Sequence, residues 1–334
     1  MEEIAELADV SIATVSRVMH GSLLVRRKTA ERVRTVMEKA HYFPNITATS
    51  LKSGVSHIYG LIIPDITNPF FPEFIKAFES IALKENQEVL LANTDFHPSG
   101  MQLSIRRLLT RQVEGVALLV SVLPEIATSF YKNGVPIVTF DRRIVGKGIS
   151  DVGINSWPGM DKSIQHLKEL GHSKIGFIAG IAAEPISDHR FESFVRALKK
   201  HDLVFYPEFL KVGDYRIEGG TAAMTEMLSV KNRPTAIVAV NDLTAIGAIR
   251  VMSSNGYSVG RDFSIIGFDG IRFGEIISPA LTTMNLSRED LAKSFFDALQ
   301  RFERRVDKAG KQYMVKTALV VRQSTGLARP KRRK

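Results

Sequence analysis

The chain of 334 residues contains no cysteine, and none of its apolar runs approaches the roughly 20 residues that cross a bilayer. The absence of cysteine excludes disulfide bonds and cysteine-ligated zinc. The first ten residues, MEEIAELADV, lack the basic start and the apolar stretch of a secretory signal peptide. From these absences we predict a soluble cytoplasmic protein with no membrane partner and no structural zinc.

Signatures of catalysis are also scarce. The sequence has neither the G-x-x-x-x-G-K-[ST] pattern of phosphate-binding loops nor the H-E-x-x-H pattern of zinc hydrolases. The eight histidines are scattered, and His166 and His172 flank Leu170-Gly171, a position typical of surface and turn residues rather than metal ligands. We therefore predict that the protein is not an enzyme and that it binds no metal and no cofactor.

The chain carries an excess of positive charge. Lys and Arg number 45 against 35 Asp and Glu, which gives a formal net charge of +10. Such a balance favours a polyanionic partner without identifying one, because many basic proteins bind no nucleic acid. Hydrophobic residues make up 44% of the chain, so it can bury large cores, and its length suits two or three domains.

The first 44 residues have the pattern of a small helical module. We predict a helix over Ile4–Ala8, a second over Ile12–His20 with Ser11 as its N-cap and Gly21 at its end, and a third over Thr29–Ala40. Short connections between three such helices are typical of a helix-turn-helix unit, in which the second helix enters the major groove of DNA.

The second helix has two distinct faces. Its apolar residues Val15, Val18 and Met19 recur at helical spacing and are expected to pack on the other two helices. The opposite face is predicted to read bases through Ile12, Ala13 and Arg17 and to bind phosphates through Ser11, Thr14 and Ser16, with His20 beside them. By itself this pattern also fits an ordinary amphipathic helix with a serine cap.

From His57 onward, short continuous apolar runs alternate with helical stretches. Seven runs over about 210 residues predict an α/β fold with doubly wound parallel sheets, arranged as two similar lobes. We place the crossover between the lobes near residues 155–158. One more helix is predicted over Ser287–Arg304, followed by two short strands near Tyr313–Val315 and Ala318–Val321.

The stretch VSIATVSRV, followed by YFPN and an A-x-x-L pattern, closely resembles the lactose/galactose repressor family of transcriptional regulators. The matching residues are Val10, Ser11, Thr14, Val15, Ser16, Arg17, Val18, Tyr42, Pro44, Asn45, Ala48 and Leu51. The body resembles that family too, in stretches such as GLIIPDITNPFFPEF, AVNDLTAIGAI and IIGFDGI. The resemblance implies a three-helix head on a two-lobed body with a periplasmic-binding-protein-like fold.

The resemblance also implies domain limits and a hinge. The domains are a DNA-binding head (1–44), a hinge (45–56), an N-terminal lobe (57–156 with 287–318), a C-terminal lobe (157–286 with 319–327) and a basic tail (328–334). In the hinge, Asn45 and Ala48 would contact DNA, and Leu51 would wedge into the minor groove. The alternative for Leu51 is a linker residue that packs on the lobe below it.

Three departures from the family pattern affect the DNA contacts. The usual Thr-x-x-Asp start, which provides a capping box for the first helix, is absent before Ile4. We expect either a start shortened by a few residues or a first helix that frays. The usual hinge arginine is Thr49, and the usual asparagine at the end of the second helix is His20.

An effector site is implied in the cleft between the lobes, at the carboxyl ends of the strands. The residues carried over are Asn68, Phe70, Asp141, Arg190, Tyr215, Asn241 and Asp269. Aromatic rings would stack on a sugar or a base, and the polar groups would bond hydroxyls or ring heteroatoms. Asp141 and Asp269 could instead cap turns, and Phe70 could belong to the core.

The sequence therefore predicts a transcriptional repressor of carbohydrate-utilisation genes. A homodimer would bind a pseudo-palindromic operator near the nucleoid, and a sugar or sugar phosphate in the cleft would change its affinity. Three alternatives stay open: a purine-responsive regulator of the same family, a sugar solute-binding protein, and a sugar-metabolising enzyme on a similar fold.

Overall fold

The computed structural model describes residues 1–19, 22, 24–42, 55–120, 129–130, 132–181, 185–304 and 309–329. The chain divides into two compact units, Met1–Ser56 and His57–Lys334. Each unit is built around its own buried residues. Within the described part of the chain, no helix combines the length and the apolar character needed to cross a membrane.

The first unit consists of helices α1 (Glu2–Leu7), α2 (Ile12–Met19) and α3 (Arg27–Lys39). The Ser11 hydroxyl accepts a hydrogen bond from the backbone N–H of Thr14 at 3.2 Å, which confirms the predicted cap of α2. Helix α1 starts at Glu2 rather than Ile4 and has no side-chain cap. The core of this unit is formed by Ile4, Ala5, Ala8, Val15, Val18 and Val33.

The second unit is built on one eleven-stranded sheet with the order β2-β1-β3-β4-β5-β11-β10-β9-β8-β6-β7. Its strands are β1 (Ile58–Ile63), β2 (Glu88–Asn93), β3 (Gly115–Leu118), β4 (Ile137–Phe140), β5 (Ile149–Asn155), β6 (Ile175–Ala179), β7 (Leu210–Val212), β8 (Ala236–Ala239), β9 (Ser264–Asp269), β10 (Thr282–Leu286) and β11 (Gln312–Val320). Strands β1 to β5 form one parallel half and β6 to β10 the other, as the predicted two-lobed α/β fold requires.

Helices lie between the strands of each half. They are α4 (Phe70–Lys84), α5 (Pro98–Thr110), α6 (Trp157–Glu169), α7 (Pro185–Lys200), α8 (Ile217–Ser229), α9 (Asp242–Ser254), α10 (Phe273–Ile276) and α11 (Arg288–Arg304). Helix α11 agrees with the predicted Ser287–Arg304 to within one residue. Because strands are covered by helices, nearly every residue of β3, β4, β8 and β9 is buried, which explains their continuous apolar runs.

The two halves are joined through β11. Its first part, Gln312–Lys316, pairs in parallel with β5, and its second part, Thr317–Val320, pairs antiparallel with β10. The prediction of two short strands in this region was wrong. One continuous strand provides hydrogen-bond partners for the backbone groups of β5 in one half and of β10 in the other, so two separate strands are not needed.

Strand β5 was not predicted, because its sequence ISDVGIN contains buried polar residues. The carboxylate of Asp151 accepts hydrogen bonds from the Thr139 hydroxyl at 2.5 Å and from the Gln312 side-chain amide at 2.7 Å. Partners on both neighbouring strands make the burial of Asp151 tolerable. Only the folded sheet brings those partners together, so a search of the sequence for apolar runs does not find this strand.

The prediction that His172 is a surface or turn residue was wrong. Its side chain is buried, with Nδ1 2.9 Å from the Thr235 hydroxyl and Nε2 2.9 Å from the Ser264 hydroxyl. Nε2 also lies 3.0 Å from the carbonyl of Gly326, so the ring ties the C-terminal segment to β9. Burial lowers the pKa of His172, and it also lowers the pKa of the half-buried His166.

The lowered histidine pKa values predict a loss of stability in mild acid. The unfolded chain takes up protons near the ordinary histidine pKa of about 6.5, whereas the folded chain does not. The contribution of His172 to the free energy of unfolding should therefore be constant above that pH and fall as the pH decreases below it, by up to about 1.4 kcal/mol per unit. Asp242, whose pKa is raised to about 7 in the folded chain, contributes the opposite slope between about pH 4 and 7. Urea titrations between neutral and mildly acidic pH measure this.

The variant His172→Gln tests the assignment to this residue. It should be less stable than the parent at neutral pH because a buried hydrogen-bond network is disturbed. The difference in the free energy of unfolding between the parent and the variant should decrease as the pH falls below about 6.5, because only the parent has this titrating group. A pH dependence equal to that of the parent chain would contradict the assignment, and His166→Gln separates the contribution of the second histidine.

Candidate functional site

Helix α2 presents the two faces that its sequence predicts. Val15 and Val18 are buried against α1 and α3, whereas Ser11, Ile12, Ala13 and Arg17 are exposed, and Thr14 and Ser16 are half-buried. Ile12 is 43% exposed although it is a large apolar residue. The Arg17 side chain enters no hydrogen bond or ion pair with the described residues. Both are therefore accessible at the start and middle of α2.

The remaining predicted DNA contacts cannot be placed. His20, Asn45, Ala48 and Leu51 lie outside the described residues, as does Thr49. One positioning contact was missed by the sequence reading. The Arg32 guanidinium of α3 donates to the backbone carbonyl of Asp9 at 3.2 Å, in the turn that precedes α2. This hydrogen bond helps to fix the direction in which α2 leaves the turn.

A cleft lies between the two halves of the second unit. It contains about 670 Å³ of space that no protein atom fills, part of it open to solvent. Six of the seven predicted effector residues line it: Asn68, Phe70, Arg190, Tyr215, Asn241 and Asp269. The other lining residues are Pro64, Phe71, Phe96, Leu119, Val120, Phe140 and Ile181.

The first wall of the cleft is mainly aromatic. Phe70, the first residue of α4, is stacked on Phe140 with ring centroids 6.3 Å apart and meets Phe71 edge-on at 5.2 Å. The side-chain oxygen of Asn68 accepts from the backbone N–H of Phe70 at 3.1 Å, which fixes the start of the helix. The rings are therefore held rigidly where strands β1 and β4 end.

Asp141 is the predicted effector residue that does not line the cleft. One of its carboxylate oxygens accepts from the backbone N–H of Ile154 at 3.0 Å, and the other lies 3.5 Å from Nδ1 of His189. Its backbone is left-handed, with φ of 50°, and the residue is buried. The carboxylate of Asp141 thus bonds the neighbouring strand β5, whereas the backbone N–H of Arg142, in the turn after β4, donates to Asp151.

The second wall of the cleft contains a buried ion pair. Arg190 Nη2 lies 3.3 Å from Asp269 Oδ1, and the guanidinium carbon is 3.7 Å from the centroid of the Phe268 ring. Nη1 donates to the carbonyl of Val240. Burial raises the pKa of Asp269, and the nearby cations Arg190 and Arg288 oppose that rise.

Asn241 joins two parts of this second wall. Its side-chain oxygen accepts from the backbone N–H of Thr244 at 2.9 Å and caps α9, while its amide donates to the carbonyl of Tyr215 at 2.8 Å. The ring of Tyr215 packs so closely on Gly180 that an added Cβ at that glycine would lie 2.2 Å from it. Asn241 and Gly180 therefore determine where the tyrosine lies.

Arg288, at the start of α11, lies behind the cleft and was missed by the sequence reading. Nη1 donates to the carbonyl of Asp269 at 2.8 Å, Nη2 lies 3.3 Å from a carboxylate oxygen of Glu73, and the guanidinium carbon is 4.3 Å from the Phe70 ring centroid. The side chain thus contacts a lining residue from each wall. Burial lowers its pKa against the opposing effect of Asp269 and Glu73.

Asp242 was also missed. It is fully buried, accepts from the Thr283 hydroxyl at 2.6 Å and accepts from the backbone N–H of Ile271 at 2.8 Å. Burial, and then the neighbouring charge of Asp269, raise its pKa to about 7. Asp242 follows Asn241 directly in the sequence, yet it holds the loop after β9 rather than the cleft.

The described residues offer no catalytic or metal constellation. No group of three or more His, Cys, Asp or Glu side chains in those ranges could hold a metal ion. The stretch GYSVG, Gly256 to Gly260, has the spacing of a serine nucleophile elbow. It follows helix α9 and precedes β9, whereas a nucleophile elbow lies between a strand and the helix after it.

A three-helix head and a two-lobed body with a cleft between its lobes define the class of ligand-responsive DNA-binding proteins. The family model described as bacterial regulatory proteins, lacI family, matches residues 1–45, and that of the periplasmic binding protein-like domain matches residues 164–325. The HTH-type transcriptional repressor PurR of Actinobacillus pleuropneumoniae serotype 3 (strain JL03) is 32% identical over 319 residues, covering 95% of this chain and 94% of the relative.

The chain therefore belongs to the lacI family of bacterial regulatory proteins. It is a DNA-binding transcriptional regulator with a ligand-binding body, which confirms the predicted class and decides against an enzyme or a solute-binding protein.

Solved structures agree with this assignment. The crystal structure of the lac repressor dimer bound to operator and the anti-inducer ONPF has a TM-score of 0.84 and 25% identity, covering 97% of this chain and 98% of that one. A LacI family regulator from Enterococcus faecium with bound ribose has a TM-score of 0.71 and 26% identity, covering 81% of this chain and all of that one.

The double role of Asn241 leads to a prediction about stability. Asn241→Ala should lower the free energy of unfolding of the body by about 1 to 2 kcal/mol, because the cap of α9 and the bond to the Tyr215 carbonyl are both lost. Urea titration measures the effect. Asn255→Ala, at the other end of α9, is the matched control, since that amide bonds only within its own helix. Equal losses in the two variants would contradict the role of Asn241.

Proposed function

We propose that this regulator binds a pseudo-palindromic operator as a homodimer and that a small molecule in the cleft controls its operator affinity. The observation that carries the proposal is the composition of the cleft, whose lining comes from both halves of the body. A ligand that contacts both halves has a different affinity for each arrangement of those halves, so it shifts the equilibrium between them. This shift changes the affinity for DNA when the movement of the halves is transmitted to the DNA-binding heads.

The dimer is proposed by analogy and by symmetry. The lac repressor structure similar to this chain is a dimer on operator DNA. Two identical helix-turn-helix heads related by a two-fold axis match two half-sites of opposite direction. The base contacts proposed for α2 are Ile12, Ala13 and Arg17, and the phosphate contacts are Ser11, Thr14 and Ser16. Such a protein would act in the cytoplasm, at the nucleoid.

The cleft chemistry supports an effector with a flat, weakly polar body and one polar edge. Nine of the described lining residues are apolar or aromatic, and the polar group that the first wall adds is the amide of Asn68, whose oxygen is already bonded to the backbone N–H of Phe70. In the second wall, the ion pair between Arg190 and Asp269 uses one carboxylate oxygen and leaves Arg190 Nε without a hydrogen-bond partner among the described residues, so this pair can bond one edge of a ring. A sugar carries hydroxyls around the whole edge of its ring, and the described part of the first wall offers only the amide of Asn68 to those that face it.

A phosphate group also finds little support in this wall. The cation among the described lining residues is Arg190, and it is already paired with Asp269. We therefore place a purine or another flat heterocycle ahead of the sugar or sugar phosphate predicted from the sequence. A sugar stays the second candidate because the similar Enterococcus faecium regulator has bound ribose.

The role of Arg17 predicts a loss of operator specificity. Arg17→Ala should weaken binding to the specific promoter fragment about 10- to 100-fold, because a bidentate arginine–guanine contact contributes about 1–3 kcal/mol. Binding to unrelated DNA should change little. Gel-shift titrations against fragments of the promoters flanking the gene measure both affinities.

The matched control for this experiment is Arg27→Ala, which removes an exposed arginine paired with Glu31 on α3. Its effect should be small and equal on specific and unrelated DNA. An equal loss on both DNAs for Arg17→Ala would contradict base reading by this residue. The absence of any specifically bound fragment at low and high salt would refute the repressor function itself.

The effector class is tested by a thermal-shift screen of nucleobases, nucleosides, sugars and sugar phosphates. A flat heterocycle should raise the Tm, since a ligand at 100 times its Kd adds about 2.7 kcal/mol to the free energy of unfolding. Arg190→Ala should abolish this shift and the response of the gel shift to the same compound, while operator binding is retained. Stabilisation by sugars alone would refute the preference for a heterocycle.

Arg233→Ala is the matched control for Arg190→Ala. Like Arg190, Arg233 is an arginine beside an aromatic ring, 4.9 Å from the centroid of Tyr257, but it does not line the cleft. This variant should keep the full thermal shift. A response unchanged in Arg190→Ala would mean that the effector binds elsewhere.

A further inference from the structure

An arginine of the second half of the body reaches the first half at the rim of the cleft. Arg216 Nη2 lies 3.1 Å from Asp65 Oδ2, although the two residues are 151 positions apart. Asp65 follows strand β1 and is nearly buried, with 8% of its side chain exposed, whereas 47% of the Arg216 side chain is exposed. The pair therefore lies at the boundary between the protein interior and solvent.

The carboxylate is prepared for this contact by its own loop. Asp65 Oδ1 accepts from the backbone N–H of Thr67 at 2.9 Å and from its hydroxyl at 2.6 Å. With Oδ1 used in this way, Oδ2 is the oxygen left for Arg216. The geometry of the loop thus directs one negatively charged oxygen toward the opposite half.

Arg216 also contacts an aromatic ring of the first half. Its guanidinium carbon is 5.3 Å from the centroid of Phe96, which lines the cleft and is 47% exposed. Asp95 and Phe96 both have left-handed backbones, with φ of 49° and 59°, an unfavourable pair of conformations for residues other than glycine. The loop therefore holds the ring at the rim against its backbone preference.

Asn93 connects the two loops of the first half that Arg216 contacts. Its side-chain oxygen accepts from the backbone N–H of Ile66 at 3.1 Å, and its amide donates to Asp95 at 2.8 Å. On the other side, Asp214 accepts from the backbone N–H groups of Arg216 and Gly219 at 2.9 and 3.0 Å. Each partner is thus anchored in its own half, so the contacts form only when the halves are close.

From this geometry we infer that Asp65, Phe96 and Arg216 form a rim clasp, which closes the cleft and sets how readily a bound molecule leaves it. The inference rests on the proposed function in one respect only, which is that the molecule in the cleft is the effector. Tyr215 lines the cleft directly beside Arg216, so opening the clasp and exposing the ligand site are one movement. Closure of the cleft and retention of the effector therefore both depend on one ion pair, whose arginine is partly exposed to solvent.

The other charged contacts between the halves differ from the clasp. Arg288, which contacts Asp269 of the second half, lies at the start of α11, where the chain itself passes between the halves, and it is buried. His189 and Asp141 are both largely buried and 3.5 Å apart. The clasp combines a solvent-accessible cation with a position at the mouth of the cleft, so it can open and close without unfolding a core.

Hydrogen–deuterium exchange on the full chain without added ligand tests the clasp. The reporter is the backbone N–H of Arg272, which donates to Glu73 of the first half at 3.0 Å and is separate from the clasp residues. Arg216→Ala and Asp65→Asn should each raise exchange at this amide roughly 2- to 5-fold, as expected for the loss of a partly exposed ion pair. Asp65→Asn keeps the oxygen that Thr67 uses.

The double variant and a control make the test specific. Arg216→Ala combined with Asp65→Asn should exchange no faster than either single variant, because the two residues act through one contact. Arg261→Ala removes an ion pair of the same length, 3.1 Å, with a similarly exposed arginine, but within one half, and it should leave the Arg272 amide unchanged.

Three outcomes would overturn the clasp: unchanged exchange at Arg272, faster exchange confined to residues 64–67 and 93–97, or additive effects in the double variant. Because no ligand or DNA is present, these outcomes do not bear on the proposed repressor function. Conversely, failure of the DNA or effector experiments leaves the test of the clasp intact.

Discussion

The buried guanidinium of Arg288 is the contact on which the arrangement of the cleft depends. It bonds the carbonyl of Asp269 on the second wall and lies against Phe70 and Glu73 of the first. A buried cation of this kind has to keep its partners, because removing them would leave its charge without compensation. The stacked phenylalanines and the Arg190–Asp269 pair are therefore held at a defined separation, with the rim clasp at the mouth of the same cleft.

The two units place their functional groups in opposite environments. In the head, the core residues of α2 only position the helix, and the residues proposed to contact DNA stay exposed, where a polyanion can reach them. In the body, the polar groups of the cleft are buried and bonded to one another, as Asn241 and Arg190 illustrate. Rigid, preorganised groups lose little freedom when a ligand binds, which suits a site that has to distinguish small molecules.

The sequence predicted most elements with long apolar runs or helical periodicity, together with the residues at the carboxyl ends of the strands. It missed the short strand β7, the largely polar strand β10 and strand β5, whose buried Asp151 is stabilised by partners from two other strands, and it divided β11 into two parts. His172 was read as a surface residue because nothing in its neighbourhood along the chain shows that Thr235, Ser264 and Gly326 surround it. Phe96 and Arg216 were missed because their contacts cross from one half to the other.

The sequence alone determined the class of this protein. The V-S-x-x-T-V-S-R motif and the alternation of strands and helices involve residues that are close together in the chain, so both can be recognised without the structure. It also determined which residues lie at strand ends, and so which could line a cleft. Only the tertiary structure decided that Asp141 bonds strand β5 while Asp269 lines the cleft, and that Asp65 contacts Arg216. Those outcomes depend on groups far apart in the chain, whose distances are set by the packing of the whole body.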